Sequence, residues 1–556
     1  MATPIVIVSS GGVPVTEATN GYGAPVTVAT NGFGTPVTVV ASGGLPVVGS
    51  GIVPTLPMLA IATRGVGPSG VLPLGGAGDS NYTRFESRFL HYSGSDPITA
   101  LQAEIGGFYM ATAGGEAAMP NAHTDQVAIE YSGQVKILTW DGGATSKLIP
   151  VSPLTTYISD YTDLGFTIPP NTPFFVHTGA VVSSGQIVYI TDIRAAGSTN
   201  DTMFRSTAAT SQVGTLGPWS TPPGGSNTNI GGGLSPISLK ARRAAGSKSL
   251  YILGDSIAYG TADSAGDGNG NSGYIARAAY IGDGVNKLPY TKMARPSETA
   301  SNMAGTKGDV RRSTFPGHSI FVSEFGMNDL GFASATVAAT PMDKATVIAN
   351  LKQNYLNDIW APAKAAGCKV YQTKITPRVK GPNITQLTSS GSTVTATVKG
   401  SQPVPTNGAV INIVGASPNT YNGSVTVTSS GPGQTFTYTT VGAVTPASSP
   451  ATLQAGFGTI AWNDGYTTTA NQIPDDGFEP GGLLRDVINA WFDTQVGVTI
   501  DGVLDPNPGI ELYISGVPQG IFQTSGGART TDGLHPNGLG AGGGATQIAA
   551  ALYTAA

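Results

Sequence analysis

Three separated groups of residues could together perform nucleophilic catalysis by serine. Gly254-Asp255-Ser256 follows the short apolar run 250–253, Asn328 lies in a polar turn after a second such run, and Asp532 precedes His535 by three residues. Acyl transfer by serine needs a base for the hydroxyl proton, a group that orients the base, and donors for the oxyanion. The chain supplies a candidate for each role.

The runs before Ser256 and Asn328 indicate buried strands. Residues 250–253 and 320–323 are mostly apolar and stop at small polar turns, and residues 345–366 show the apolar spacing of a helix followed by the strand-like segment 369–373. Alternation of strand and helix predicts a parallel sheet with flanking helices. The carboxyl ends of such strands are where open α/β sheets place their chemistry.

Each candidate residue also has a purely structural interpretation. Asn328 could be a helix N-cap, and Asp532 with His535 could form a turn. His123-Thr124-Asp125 is too short a cluster for a metal site, which needs three or four convergent ligands. The joint pattern favours catalysis, and we predict neither a metal nor a cofactor.

The same groups resemble conserved blocks of the SGNH (GDSL-type) hydrolases. Gly254-Asp255-Ser256 is similar to the first block of that family, Gly326-Met327-Asn328-Asp329 to the third, and Asp532-Gly533-Leu534-His535 to the fifth. The resemblance covers roughly residues 248–380 and 456–556. It implies an α/β hydrolase domain with the flavodoxin-like three-layer fold.

The resemblance also implies a role for each residue. Ser256 would be the nucleophile, His535 the general base and then acid, and Asp532 the residue that orients the imidazole. The oxyanion hole would consist of the backbone N–H of Ser256, the side-chain amide of Asn328 and a backbone N–H from the second block.

The second block departs from the family pattern. In Ala294-Arg295-Pro296-Ser297-Glu298-Thr299, a serine stands where the family has glycine. We predict that Ser297 supplies the remaining oxyanion N–H, with Gly305 as the alternative. The neighbouring carboxylates Asp255 and Asp329 are expected to contact substrate.

The whole-chain composition excludes several classes of protein. Charged residues make up 11% of the 556, against about a quarter in typical globular proteins, and the net charge of −5 comes without a basic run, which argues against a nucleic-acid partner. The single cysteine, Cys368, excludes an intramolecular disulfide. We predict no membrane insertion, because no apolar stretch is long enough, and no signal peptide, because the start lacks a basic segment.

The chain is predicted to be multidomain. Pro-Val recurs every eleven residues near the start, which predicts a β-repeat attachment arm, with a flexible linker as the alternative. The regions that follow are a Gly/Pro-rich linker, an all-β sandwich or jelly roll, and a hydrolase domain interrupted by a small β-sandwich module. The arm is predicted to span residues 1–50, the linker 51–79 and the sandwich or jelly roll 80–240. The hydrolase domain is predicted to span 248–382 and 456–556, with the inserted module at 383–455.

These features together predict an esterase. The arm and the inserted module resemble segments of tailed-phage fibre and spike proteins, which implies a homotrimeric virion component made in the host cytoplasm. Its arm would bind virion structural proteins, and its site would remove O-acetyl or similar acyl groups from cell-surface polysaccharide. The alternatives are a non-catalytic receptor-binding fibre that uses the hydrolase fold as a carbohydrate-binding scaffold, and a secreted bacterial esterase.

Overall fold

The structure is a computed structural model of the chain. It describes residues 56–74, 82–111, 114–151, 154–191, 201–222, 225–226, 232–243, 246–263, 266–333, 342–400, 402–413, 416, 419–421, 423–442, 444, 461–462, 466 and 468–555, with short paired segments between residues 18 and 47. The chain divides into two compact units: residues 58–241 with 246–556, and residues 1–57 with 242–245.

The larger unit contains a six-stranded sheet in which every neighbouring pair of strands is parallel. Leaving aside its first short strand, the remaining five lie in the order 2-1-3-4-5, which is the flavodoxin-like arrangement. In chain order the six strands are Gly65–Val66, Leu250–Gly254, Tyr290–Ala294, Ile320–Ser323, Lys369–Thr373 and Gly502–Leu504.

Helices cover the sheet and explain why its central strands are apolar throughout. All five residues of Leu250–Gly254 and all four of Ile320–Ser323 are buried, as expected for parallel strands covered on both faces. The α-helices of this domain are Ser256–Tyr259, Tyr274–Ile281, Asp309–Ser313, Met327–Gly331, Lys344–Asn354, Ala361–Ala365, Arg485–Gln495 and Gly538–Ala555, and the π-helical segment Tyr355–Trp360 joins two of them.

The last helix, Gly538–Ala555, begins in a glycine-rich stretch that disfavours helix in isolation. Its packing explains the composition. A Cβ atom added at Gly543 would lie 2.2 Å from the backbone oxygen of Gly509, so only glycine permits the close approach of these two segments. The helix therefore forms because tertiary packing outweighs local propensity.

The region expected to be a sandwich or jelly roll consists of two facing antiparallel sheets. One contains Gln134–Ile137, His123–Tyr131, Pro173–Val181, Arg84–Tyr92 and Thr202–Ser206, with Lys147–Ile149 paired to the second of these. The other contains Thr156–Ile158, Ile98–Gly106, Ser238–Arg242 and Met58–Ala60, with Thr162–Ile168 paired to the second. Their inner faces share one apolar core, which includes Ile98, Leu101, Val127 and Phe174.

The expected linker at 51–79 is only partly a linker. Met58–Ala60 is an edge strand of the β-sandwich, Gly65–Val66 extends the six-stranded parallel sheet, and Pro68–Pro73 pairs with Ile187–Thr191. Residues 51–55 and 75–79 lie outside the described part. The correction has a physical reason: pairing with partners far along the chain supplies the backbone hydrogen bonds that a Gly/Pro-rich segment cannot supply locally.

The inserted module is a separate six-stranded antiparallel sheet with its own core. Its strands are Ile384–Ser390, Thr393–Val398, Val410–Ile413, Gly423–Gly431, Thr435–Thr439 and Ala461–Trp462. The module thus extends past the expected boundary at 455. Its two ends are close together, because Val379–Lys380 pairs with Ile473–Pro474, as an insertion into an intact domain requires.

In the smaller unit, the described segments of the repeat are short antiparallel pairs. They join Ala18–Thr19 to Pro25–Val26, Ala29–Thr30 to Pro36–Val37, and Val40–Ser42 to Leu45–Val47. The residues between these paired segments lie outside the described part of the chain. Within the described chain, no helix combines the length and the apolar character needed to cross a membrane.

Candidate active site

The fold brings Ser256, His535 and Asp532 into one hydrogen-bonded chain. The Nε2 atom of His535 lies 2.8 Å from Oγ of Ser256, although the two residues are 279 positions apart. The Nδ1 atom of His535 lies 2.6 Å from Oδ2 of Asp532. With Nδ1 donating its proton to the carboxylate, Nε2 is free to accept the serine proton.

The three-residue spacing of Asp532 and His535 has a local structural cause. Oδ1 of Asp532 accepts the backbone N–H groups of Leu534 at 2.9 Å and His535 at 2.8 Å, so the same carboxylate holds both the turn and the imidazole. Gly533 adopts a φ of +79°. A Cβ atom there would lie 2.6 Å from the carbonyl oxygen of Val379, so glycine is required at this position.

A buried threonine fastens the same loop. Oγ1 of Thr530 donates to the carbonyl oxygen of His535 at 2.9 Å and accepts the N–H of Gly533 at 3.0 Å. Partial burial would by itself raise the pKa of Asp532, but the hydrogen bond and charge of His535 and two backbone N–H groups hold it below its ordinary value. Asp532 is therefore ionised when His535 takes up the proton of Ser256.

Ser256 begins the short helix Ser256–Tyr259, directly after the first strand of the five-strand order. Asp255 is the N-cap, and its carboxylate accepts the N–H of Ile257 at 2.9 Å. Gly254 permits the tight turn, since a Cβ atom there would lie 2.7 Å from that of Ala258. The turn leaves Ser256 5% exposed, at the edge of the sheet.

Glu324 is a site residue that the sequence analysis missed. It follows the strand Ile320–Ser323, is buried, and its Oε2 accepts the backbone N–H groups of Asp255 at 3.3 Å and Ala258 at 3.2 Å. The backbone on both sides of Ser256 is thus held by one carboxyl group. An acidic residue immediately after a central strand was the available signal.

The two buried acids Asp255 and Glu324 influence each other's ionisation. Burial raises the pKa of Asp255 to about 6, while burial and the charge of Asp255 raise the pKa of Glu324 well above its usual range. Two carboxyl groups this close in a dry environment do not both ionise at neutral pH. Glu324 therefore keeps its proton, and the pair carries a single negative charge behind the nucleophile.

The departure in the second block proves compatible with a turn. The N–H of Glu298 donates to the carbonyl oxygen of Arg295 at 3.4 Å, and Ser297 has a φ of +66°. Proline followed by a residue with positive φ is the pattern of a type II turn. Ser297 thus adopts the conformation that favours glycine, and its N–H is not used in the turn bond. Its role as an oxyanion donor stays a prediction.

Hydrogen bonds connect this turn to the first and third blocks. The N–H of Arg295 donates to the carbonyl oxygen of Gly254 at 3.2 Å. Nδ2 of Asn328 donates to the carbonyl oxygen of Glu298 at 2.8 Å. An amide nitrogen carries two protons, so Asn328 keeps a second N–H for an oxyanion. The fallback residue Gly305 is less suitable, because its N–H donates to Oδ1 of Asp358 at 3.0 Å.

Asp255 and Asp329 do not line a substrate surface. Asp255 is fully buried as the cap of the nucleophile helix, and Asp329 is buried with both carboxylate oxygens 3.0 Å from the N–H of Ala300. We therefore correct their expected assignment as substrate-binding residues. Both carboxyl groups accept hydrogen bonds from the backbone of loops around the site. Their burial in the folded chain is what shows that they bind backbone instead of substrate.

The buried Asp329 predicts a pH dependence of stability. Burial and the charge of Asp255 raise its pKa to about 7, so the protonated form is favoured in the folded state. Its contribution is fully present below about pH 4 and is lost as the pH rises to about 7, at about 1.4 kcal/mol per pH unit. The Asp329→Asn variant carries a neutral side chain at both pH values. The melting temperature of the variant minus that of the wild type should therefore be higher at pH 8 than at pH 4.5. An equal difference in melting temperature at both pH values would contradict this.

The amide of Asn328 predicts a kinetic effect. Removing one oxyanion donor costs about 10²–10³ in kcat, and Asn328→Ala should show a loss of that size with little change in KM for a short-chain ester. The donor acts on charge that develops only in the transition state. Steady-state kinetics check this, and a rise in KM at constant kcat would instead assign Asn328 to substrate binding.

The arrangement lies where an open α/β sheet places a ligand site. The strands ending at Gly254 and Ser323 are neighbours in the sheet, and the strand order reverses between them. A nucleophile, a base with its orienting carboxylate and an amide donor are the parts needed for acyl transfer to serine and then to water. Among the described residues, no three His, Cys, Asp or Glu side chains are grouped to hold a metal ion.

Comparison with known proteins gives structural similarities only. No family model and no curated protein matches the chain. Protein YXIM from Bacillus subtilis is 13% identical, over 58% of this chain and 65% of that one, with a TM-score of 0.19. The lipase/acylhydrolase from Enterococcus faecalis is 17% identical, over 24% and 58%, with a TM-score of 0.17.

A third solved structure is described as a carbohydrate esterase whose active site displays divergent catalytic and non-catalytic binding functions. It is 11% identical, over 58% of this chain and 79% of that one, with a TM-score of 0.20. This chain spans less than two thirds of the length of the first two structures. At such low TM-scores the similarities carry no weight of their own, and the functional proposal rests on the site geometry.

Proposed function

We propose that the chain is a serine esterase of the SGNH type. The observation that carries this proposal is the pair of contacts at His535, 2.8 Å to the Ser256 hydroxyl and 2.6 Å to the Asp532 carboxylate. Ser256 attacks the ester carbonyl while Nε2 of His535 takes its proton. That proton then passes to the departing alkoxide, and water attacks the acyl-enzyme by the same route in reverse.

The proposed substrate is an acylated polysaccharide, with O-acetyl as the acyl group. Support comes from the position of the site at the surface: the His535 side chain is 13% exposed and that of Asp532 is 45% exposed. The base of the inserted module contributes to the rim, since the N–H of Val379 donates to the carbonyl oxygen of Gly533 at 2.8 Å. We also propose a place in a phage virion, a proposal supported by the repeat arm and the inserted module.

The test is acetate release by the full-length protein. Purified chain is incubated with an O-acetylated capsular polysaccharide or O-antigen, with the same material after alkaline deacetylation, and with a short-chain chromogenic ester. Release of acetate from the first substrate and hydrolysis of the chromogenic ester are expected. If the protein hydrolyses neither and is still retained on cells, the non-catalytic receptor-binding alternative replaces the esterase.

A further inference from the structure

A hairpin of the β-sandwich forms part of the hydrolase core. Its strands Phe108–Met110 and Glu116–Ala118 pair with each other and lie between two long strands of the sandwich in the chain. The side chains of Phe108 and Met110 are fully buried in the same apolar cluster as the sheet that carries Ser256. The hairpin is therefore fixed to the hydrolase domain.

Glu116 of this hairpin is bound by the hydrolase domain through three hydrogen bonds. Its carboxylate accepts the backbone N–H groups of Val310 at 2.8 Å and Arg311 at 2.7 Å, and Nε of Arg311 at 3.2 Å. The side chain of Glu116 is buried, and 195 positions separate it from Arg311. A buried carboxylate with this many donors is held in one place.

Arg311 connects Glu116 to the loop that contains the second block, residues 294–302, here called the second-block loop. Its fully buried guanidinium donates to Oε2 of Glu298 at 2.8 Å and to the carbonyl oxygen of Asn302 at 3.1 Å. The carbonyl oxygen of Glu298 in turn accepts the Nδ2–H of Asn328. A continuous line of buried polar contacts thus runs from the β-sandwich to the candidate oxyanion donor.

A second group of contacts holds the same loop from the same side. Arg295 donates through one terminal nitrogen to the carbonyl oxygen of Ala111 at 2.7 Å and through Nε to that of Ser69 at 3.0 Å. Gly114 of the hairpin lies against Asn302, since a Cβ atom added there would be 2.0 Å from Nδ2 of Asn302. The loop is therefore fixed between the hairpin and the strand ends of the sheet.

The geometry points to Glu116 as a positioning residue of the esterase site. Acting through Arg311 and Glu298, it holds the second-block loop so that the amide of Asn328 faces the developing oxyanion. The β-sandwich then completes the active centre and is more than an attached binding module. This inference rests on the proposed esterase function and adds a residue to it.

Replacing Glu116 with glutamine tests the inference. The amide would keep one oxygen to accept from either Val310 or Arg311, and its NH₂ group would face the N–H donors of the other residue. Arg311 would then keep only one carboxylate partner, Glu298. Misplacement of catalytic groups by about 1 Å costs on the order of 10²-fold, so kcat for a short-chain ester should fall about 10- to 100-fold. KM and the pH profile should change little, because Glu116 contacts neither His535 nor Asp532.

Glu104→Gln is the matched control. Glu104 is a buried carboxylate of the same β-sandwich, bonded to Lys240 at 2.8 Å, Ser238 at 3.0 Å and Thr156 at 2.9 Å. It makes none of the contacts that lead to the loop. If general loss of stability explained the Glu116→Gln result, Glu104→Gln would reduce kcat as much, and that outcome would overturn the inference.

A double-mutant cycle with Asn328→Ala tests the route. If Glu116 acts through Asn328, the two substitutions should not be additive. The kcat of the double variant Glu116→Gln/Asn328→Ala should then lie within about twofold of the kcat of Asn328→Ala. Multiplicative losses in the double variant would show that Glu116 acts elsewhere.

Hydrogen exchange separates this inference from the proposed function. The amides of residues 298–302 should exchange faster in Glu116→Gln than in the wild type, and at the wild-type rate in Glu104→Gln. This readout needs no catalysis, so it remains decisive if the wild type hydrolyses no ester. Unchanged exchange in Glu116→Gln would overturn the positioning role whatever the activity.

Discussion

Ser256→Ala should lower kcat for ester hydrolysis by at least about a thousandfold, the scale seen when a triad member is removed. In the proposed mechanism the hydroxyl is the attacking group, and its oxygen lies 2.8 Å from Nε2 of His535. Removing it leaves the other donors in place, so thermal stability should change little. The variant should also fail to react with an activated fluorophosphonate that labels the wild type once per chain.

The control for this result is Ser390→Ala. Ser390 is an exposed serine at the end of a strand in the inserted module, and its replacement should leave both hydrolysis and labelling unchanged. Retention of more than about a tenth of the activity by Ser256→Ala would show that another residue is the nucleophile. Labelling is read by mass spectrometry of intact chains, which also reports any second reactive residue.

Asp532→Asn should lower kcat by about 10³- to 10⁴-fold with little change in KM. Oδ1 of Asp532 accepts the N–H groups of Leu534 and His535, and the amide oxygen of asparagine must take that place. Its NH₂ group then faces Nδ1 of His535. The imidazole is forced into the tautomer with its proton on Nε2, which cannot accept the proton of Ser256.

Asp283→Asn is the matched control. The Asp283 carboxylate also accepts two successive backbone N–H groups, from Val285 at 2.9 Å and Asn286 at 2.6 Å, on an exposed turn outside the site. Its replacement should leave kcat unchanged. Equal kcat for the two variants would mean that Asp532 only shapes its loop, and that another group orients His535.

The candidate chemistry could be read from the sequence because it depends on local features. The three-residue spacing of Asp532 and His535 is enough to place one carboxylate against both the turn and the ring. The apolar runs before Ser256 and Asn328 were enough to predict buried strands with polar ends, and the structure shows that the two strands are neighbours. The unusual second block was also readable in part, since Pro296 before Ser297 permits a turn with positive φ.

The supporting contacts could not be read in this way. Glu324 and Glu116 contact backbone partners between 66 and 195 positions away, and no spacing rule connects such residues. Burial alone separated the backbone-capping role of Asp255 and Asp329 from the expected substrate contact. Both facts depend on which surfaces the folded chain encloses.

The amino-acid sequence by itself determined the reactive groups, the order of the strands that carry them and the presence of an inserted module. Tertiary structure decided that residues 58–73 contain strands of several sheets, that a glycine-rich segment is helical, and that the hairpin carrying Glu116 packs against the domain with the parallel sheet. The physical reason is the same throughout. Local patterns set what a segment can form alone, whereas long-range packing supplies the hydrogen bonds and buried contacts that select among those possibilities.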